Sequence, residues 1–266
     1  MSDNPKVVVI TGAASGIGRS LAHSLISGKN KLVLTDVNED NLKTLEIEFI
    51  NSSDQCLFAV ADVTHSDQLE KLKSQALEKF KRIDVWINNA GVMPTGHFVE
   101  MNAQIINHQI GVNLKGVING MQCILPYFEK VKRGQIINIS SVAAKVPLPY
   151  ASIYSATKSA IFQLTEGVRI EYSGKGLHLC CIFPGAVNTP LTVDMKKTTF
   201  PPVIEPEKVV RAITKCIKKP KRRVYVPWYL GPLSSLQVIL PQYLLEFIGE
   251  ILGITDSVRP SIPKKN

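Results

Sequence analysis

The chain of 266 residues is 45% hydrophobic and 20% charged, which excludes a disordered polypeptide and leaves room for one full-sized domain with a large core. Its 31 Lys+Arg against 22 Asp+Glu give +9, and eight cations with no acid between Lys208 and Arg223 supply much of that excess. Aromatic residues suited to base stacking do not interleave with this run, so nucleic acid is not an expected partner.

Five cysteines lack C-x-x-C or Cys/His zinc spacing and read as buried thiols of a reducing compartment, so a cytoplasmic protein without a metal is expected. No basic stretch followed by a long apolar one opens the chain, and no apolar run reaches the length of a membrane span.

In chain order, near-continuous apolar runs at 6–11, 31–36, 56–62, 83–91, 134–141 and 177–185 predict parallel strands covered on both faces. Between the first four lie amphipathic stretches at 15–27, 38–50 and 66–80. The last has Ser66 as its expected N-cap and places Leu69, Leu72, Ala76, Leu77 and Phe80 on one face. Strands alternating with helices predict an α/β fold, a single-domain doubly wound parallel sheet with helices on both faces, over residues 1–227. Past Pro184 the period fades, then returns as a helix at 206–219 and a short strand at 222–227. The apolar 228–253, broken by Gly231, Pro232 and Pro241, predicts two short helices. They belong to a C-terminal extension, 228–266, packed on the same domain or in an oligomer interface.

Two motifs carry chemistry on their own. "VVVITGAASGIGRSLAH" sets a strand directly before Gly12 and a helix directly after Gly16, Ile17 and Gly18, with Ser15 inside the turn. Small residues there let the backbone approach a pyrophosphate, and the helix start offers free N–H groups. Asp36 ends the second strand, 18 residues beyond Gly18. A carboxylate at that place accepts hydrogen bonds from an adenosine ribose and repels a 2′-phosphate, which favours NAD over NADP.

The wider pattern resembles the short-chain dehydrogenase/reductase (SDR) family. "TGAASGIG" is similar to its glycine motif, and the likeness continues through Asn88-Asn89-Ala90-Gly91, Asn113, Ser141, Tyr154-x-x-x-Lys158 and Pro184-Gly185. The resemblance covers about residues 6 to 190 and implies a Rossmann fold with a variable C-terminal helical part. It also implies NAD(P)-linked oxidation of a CH–OH group, with Asn113, Ser141, Tyr154 and Lys158 as the catalytic set.

In that reading Tyr154 exchanges a proton with the substrate oxygen. Its phenol, ordinarily near ~10, must drop by about three units to work at neutrality. Lys158 lies one turn on, on the same helical face, whereas Tyr150 has only Tyr154 at that spacing. Tyr150 is expected at the entrance or near the helix start, Ser140 on the opposite side of the strand from Ser141, and Lys145 as a solvated charge. The resemblance further implies cofactor contacts at Asp62, Val63, Asn89, Ala90, Gly91, Pro184, Gly185, Val187 and Thr189. Histidines 23, 65, 97, 108 and 178 have no ligand spacing and read as surface or packing residues.

Met93, Val142, Leu148, Tyr150, Leu191 and Met195 sit in the segments expected to face the substrate, including a lid over about 187–205. They predict a mostly apolar secondary alcohol or ketone, of steroid, lipid or prenyl type. Alternatives are an NADPH-dependent 3-oxoacyl reductase, which Asp36 disfavours, and a non-catalytic dinucleotide-binding regulator, which the intact catalytic set disfavours. A homodimer or homotetramer is expected. Weak peripheral contact with an anionic membrane through the basic run and the tail is the minority expectation.

Overall fold

The structure, a computed structural model, describes residues 5–193 and 202–236. Seven parallel strands form one sheet in the order β3-β2-β1-β4-β5-β6-β7. They are β1 (Val7–Thr11), β2 (Lys31–Asp36), β3 (Cys56–Val60), β4 (Val85–Asn88), β5 (Gly134–Ile139), β6 (Leu177–Pro184) and β7 (Arg223–Val226). The helices are α1 (Gly16–Ile26), α2 (Glu39–Glu48), α3 (Ser66–Phe80), α4 (Ala103–Ile110), α5 (Gly116–Val131), α6 (Ser152–Glu171), α7 (Pro206–Lys218) and α8 (Leu230–Leu236).

The apolar runs become strands because the sheet is covered on both faces. In β1 every residue is buried, with Val8 and Ile10 in one core layer and Val7 and Val9 in the other. The first layer packs against α1, α2 and α7, and the second against α3, α5 and α6. This is the doubly wound arrangement, and its strand order reverses between β1 and β4, where such sheets open a crevice.

Three details differ from the sequence reading. The N-cap of α3 is His65, with no side-chain cap bond, and Ser66 is already helical. Strands β3, β4 and β5 stop short of the predicted ends, because the chain leaves the sheet at their C-terminal tips. The pair α4–α5 was not anticipated, since Gly116, Gly120 and Pro126 interrupt its apolar period. Gly120 is there for close approach: a Cβ on it would lie 2.2 Å from Asn88 Oδ1 and 2.9 Å from Trp86 Nε1. Of the two tail helices expected over 228–253, α8 is observed, and residues beyond 236 lie outside the described ones.

Beneath the crevice a buried polar chain ties β4 to α6. Trp86 Nε1 donates to Asn88 Oδ1 (2.9 Å), Asn88 Nδ2 to Asn138 Oδ1 (2.7 Å), and Asn138 Nδ2 to Thr165 Oγ1 (2.9 Å). The dense end of the basic run, from Lys215 on, sits at the opposite edge of the sheet. There the Lys6 ammonium, just before β1, donates to the Ile217 carbonyl (3.0 Å). No helix among the described residues is long and apolar enough to cross a membrane.

Gly120→Ala should cost about 1–3 kcal/mol by forcing α5 off the Asn88–Trp86 pair. Thermal unfolding should show a melting temperature lower by several degrees, with the secondary structure unchanged.

Candidate active site

The crevice opens over the turn between β1 and α1. Gly12 and Gly16 adopt φ of +63° and +49°, in the left-handed region that favours glycine. A Cβ on Gly12 would stand 2.8 Å from the Ala90 Cα, so the two chain segments touch backbone to backbone. Thr11 Oγ1 accepts the amides of Asn89 (3.0 Å) and Ala90 (3.1 Å). Asn89 Nδ2 returns to the carbonyls of Thr11 (3.0 Å) and Gly12 (2.9 Å). The N-cap of α1, Ser15, makes no side-chain cap bond, which leaves the first amides of the helix facing the crevice.

Asp36 stands at the lip. Its Oδ2 accepts the Ala14 amide and its Oδ1 the Asn38 amide, both at 3.0 Å, leaving further lone pairs on each oxygen. The cleft is lined by Gly12, Ser15, Gly16, Ile17, Asp36, Asp62, Val63, Asn89, Ala90, Gly91, Tyr154, Lys158, Pro184, Gly185, Val187 and Thr189, together with Ser141 and Leu191. Gly18 is set behind the turn, its Cβ position 2.1 Å from the Gly12 carbonyl oxygen. A glycine cradle, free helix amides and a lip carboxylate fit a dinucleotide.

At the inner end Tyr154 is 7% exposed and Lys158 3%. The Lys158 ammonium donates to the Ile139 carbonyl (2.9 Å) and lies 5.5 Å from the centre of the Tyr154 ring. Burial pushes the Tyr154 phenol up to about 12, against the pull of its hydrogen bond with Ser141. Burial also lowers the Lys158 amine to about 8. The chain alone therefore moves the phenol opposite to the direction expected from the lysine pairing, because desolvation outweighs the hydrogen bond with Ser141.

Ser141 Oγ accepts the Ala143 amide (3.1 Å). Asn113 sits in a π-helical turn, Gly111–Lys115, between α4 and α5. Its side chain is clamped on the Val92 backbone, accepting from the amide (2.8 Å) and donating to the carbonyl (2.9 Å). Gly91 lies between Asn113 and Lys158, its Cβ position 3.3 Å from Asn113 Oδ1 and 3.6 Å from Lys158 Nζ.

The substrate-facing candidates divide. Met93 and Leu148 pack against Tyr154, Ala143 and Ala151. Val142 belongs to a neighbouring cluster around Phe162 and Phe183. Tyr150 meets His97, and Met195 lies outside the described residues. The Ser140 hydroxyl donates to the Lys158 carbonyl (2.8 Å), away from the Ala143 amide that Ser141 Oγ meets. One expectation needs correction. Lys145 is not a solvated charge. Its ammonium lies 3.9 Å from the centre of the Phe162 ring, and burial together with Arg223 lowers its pKa.

Val37, Ala61, Val92, His108, Val112, Pro190 and Thr192 also line the cleft. Val37 and Val92 adjoin predicted contacts, and Val112 adjoins Asn113. His108 carried no signal, because α4 itself was not anticipated. Among the described residues no group of acids, histidines and cysteines is arranged to hold a metal.

Residues 6–199 match the short chain dehydrogenase family. The chain belongs to that family. An uncharacterized oxidoreductase of Staphylococcus saprophyticus is 39% identical over 241 residues, covering 86% of this chain and 97% of its own. A short chain dehydrogenase/reductase from Burkholderia phymatum, solved with NAD, has a TM-score of 0.80 at 24% identity over 100% of both chains. ElxO, solved with NADP, has a TM-score of 0.75 at 24% identity over 84% of this chain and 97% of its own. At that identity the two structures speak for the fold. As a short-chain dehydrogenase the protein is an oxidoreductase whose cofactor class is the nicotinamide dinucleotides.

The burial of Lys158 has a measurable consequence for the cofactor-free short-chain dehydrogenase. Its folded pKa lies near 8 and its unfolded one near 10.5, so the cost of the buried charge is full below pH 8 and fades as pH rises to 10.5. Lys158→Met should stabilise the protein at neutral pH by on the order of 2 kcal/mol, once the lost hydrogen bond is set against the relieved burial. Urea unfolding should show that advantage shrinking in alkaline buffer.

Proposed function

We propose that the protein transfers hydride between NAD(H) and an apolar secondary alcohol or ketone, with Tyr154 as the acid–base. The observation that carries this reading is that Tyr154 and Lys158 are buried at the inner end of the dinucleotide cleft, where the half-buried Ser141 lines the same wall. When bound, the nicotinamide supplies the hydride acceptor or donor and, in its oxidised form, a positive charge in this buried space.

The chain's own groups account for the proton. In the oxidative direction the substrate hydroxyl gives its proton to Tyr154 as its carbon gives up hydride, and in reduction the phenol returns it. Ser141, which lines the cleft with Tyr154, holds the substrate oxygen beside it. Lys158 lowers the cost of phenolate, and its position is kept by Ile139 and, through α6, by Ser140. Asn113 acts on the site through the Val92 backbone it clamps.

Two observations support NAD over NADP. Asp36 offers a carboxylate where a 2′-phosphate would lie, and among the described residues lining the cleft Lys158 is the only lysine or arginine. Arg19, one turn into α1, is paired with Glu48. An apolar substrate is supported by the uncharged side chains of Ala143, Ala151, Met93 and Leu148 packed around Tyr154.

NADH and NADPH titrations by fluorescence, joined to a ketone and alcohol screen read on the reduced nicotinamide absorbance, test the proposal. Tyr154→Phe should lower kcat/KM by about 100-fold or more while NADH affinity holds. Asp36→Ala should shift relative affinity toward NADPH by about tenfold, some 1.4 kcal/mol. Full turnover in Tyr154→Phe would remove the acid–base assignment, and tighter binding of NADPH than NADH by the wild type would remove the Asp36 argument.

A further inference from the structure

The segment just before Tyr154 holds a conformation that the reaction itself does not require. Tyr150 has φ +59°, in the left-handed region that a side chain with a Cβ enters at a cost. Lys81 and Lys132 share that region, but they cap the C-termini of α3 and α5, where it is common. Tyr150 ends no helix; it stands two residues before one begins.

Contacts on both sides hold it there. Its carbonyl accepts the Gly96 amide (2.9 Å), and its ring meets that of His97 edge to face, with centroids 5.0 Å apart at 83°. On the helix side Ser155 Oγ accepts the Leu148 amide (3.1 Å). These contacts join two loops, one leaving β4 and one leaving β5. Each loop sends one apolar side chain, Met93 or Leu148, against Tyr154.

A left-handed position is filled at least cost by glycine or asparagine. A tyrosine there indicates that its ring does something the backbone alone cannot. We propose that Tyr150 and His97 form a ring-on-ring clamp that sets the substrate-side wall and so decides how bulky a substituent is admitted beside the reacting carbon. This rests on the oxidoreductase reading above. Both are positioning residues that act through Met93 and Leu148. Beyond His97 the surface continues apolar, with Phe98 63% and Val99 90% exposed, so a substituent passing the clamp meets hydrocarbon rather than charge.

The test compares kcat/KM for 2-decalone and cyclohexanone, taken from a wider ketone panel, in the wild type, Tyr150→Gly, His97→Ala, the double variant and Tyr150→Phe. Removing either ring should raise the decalone-to-cyclohexanone ratio by about tenfold or more, the scale on which pocket size discriminates. The change should fall mainly on KM, with NADH affinity unaltered. The double variant should exceed neither single one by much, as expected for two halves of one contact. Tyr150→Phe keeps the ring and should restore the wild-type ratio. Tyr150→Gly relieves the left-handed strain, so its melting temperature should not fall, which separates a specificity change from unfolding. A ratio unchanged in both single variants, or strictly additive effects, overturns the clamp while leaving the oxidoreductase reading intact. No turnover of any ketone by the wild type overturns both.

Discussion

The site depends on one contact, the backbone-to-backbone approach of the β1 turn and the tip of β4. Where the strand order reverses, the two chains diverge and leave amides and carbonyls without ladder partners. A buried polar group left in that state is costly. Thr11 and Asn89 meet these groups with their own side chains, hydroxyl to amides and amide to carbonyls. The stitch closes only because Gly12 lacks a Cβ that would stand 2.8 Å from Ala90. Once closed, it aims the start of α1 into the crevice and sets Ala90 and Gly91 along its wall. The glycine side of the cleft follows from that junction.

The inner end of the cleft is costly in a different way. Tyr154 and Lys158 are buried, and their neutral forms are the ones burial favours. The fold tolerates this because α6 is anchored along its length. Ser140 bonds the Lys158 carbonyl, Asn138 bonds Thr165, and the Asn88–Trp86 pair continues the chain into β4. A helix held so firmly keeps two unwelcome polar groups aimed at one point instead of turning them to water. The π-helical turn at Asn113 has a similar use. It places a fully buried amide on the backbone of Val92, so the floor of the cleft is braced from the α4–α5 side as well.

What could be read from the residues and what could not follow from this construction. Strands β1 to β6 were legible as near-continuous apolar runs; five of them are interior and covered on both faces, while β3 lies at an edge of the sheet. The glycine turn was legible because close backbone approach and positive φ restrict the residue type there. The α4–α5 pair was not, since its glycines serve contact with β4 and break the period by which helices are recognised. The surroundings of Lys145 were not legible, because composition cannot show that an aromatic ring, Phe162, lies under a lysine. The His97–Tyr150 contact was invisible, since it joins loops that meet only after the sheet has formed.

The charge of the molecule bears on the substrate through its placement. The +9 excess suggests at first a protein that draws anions to its site. Its densest part, however, lies where Lys6 meets Ile217, at the N-terminal edge of the sheet, whereas the cleft opens at the C-terminal edge. A strand the length of β1, five residues at about 3.3 Å each, separates the two edges by roughly 16 Å. That is about two Debye lengths at physiological ionic strength, so little of that field reaches the cleft mouth through solvent. Around Tyr154 the packed side chains of Ala143, Ala151, Met93 and Leu148 carry no charge. That placement suits the uncharged, hydrocarbon-rich carbonyl compound of the proposed function better than an anionic one.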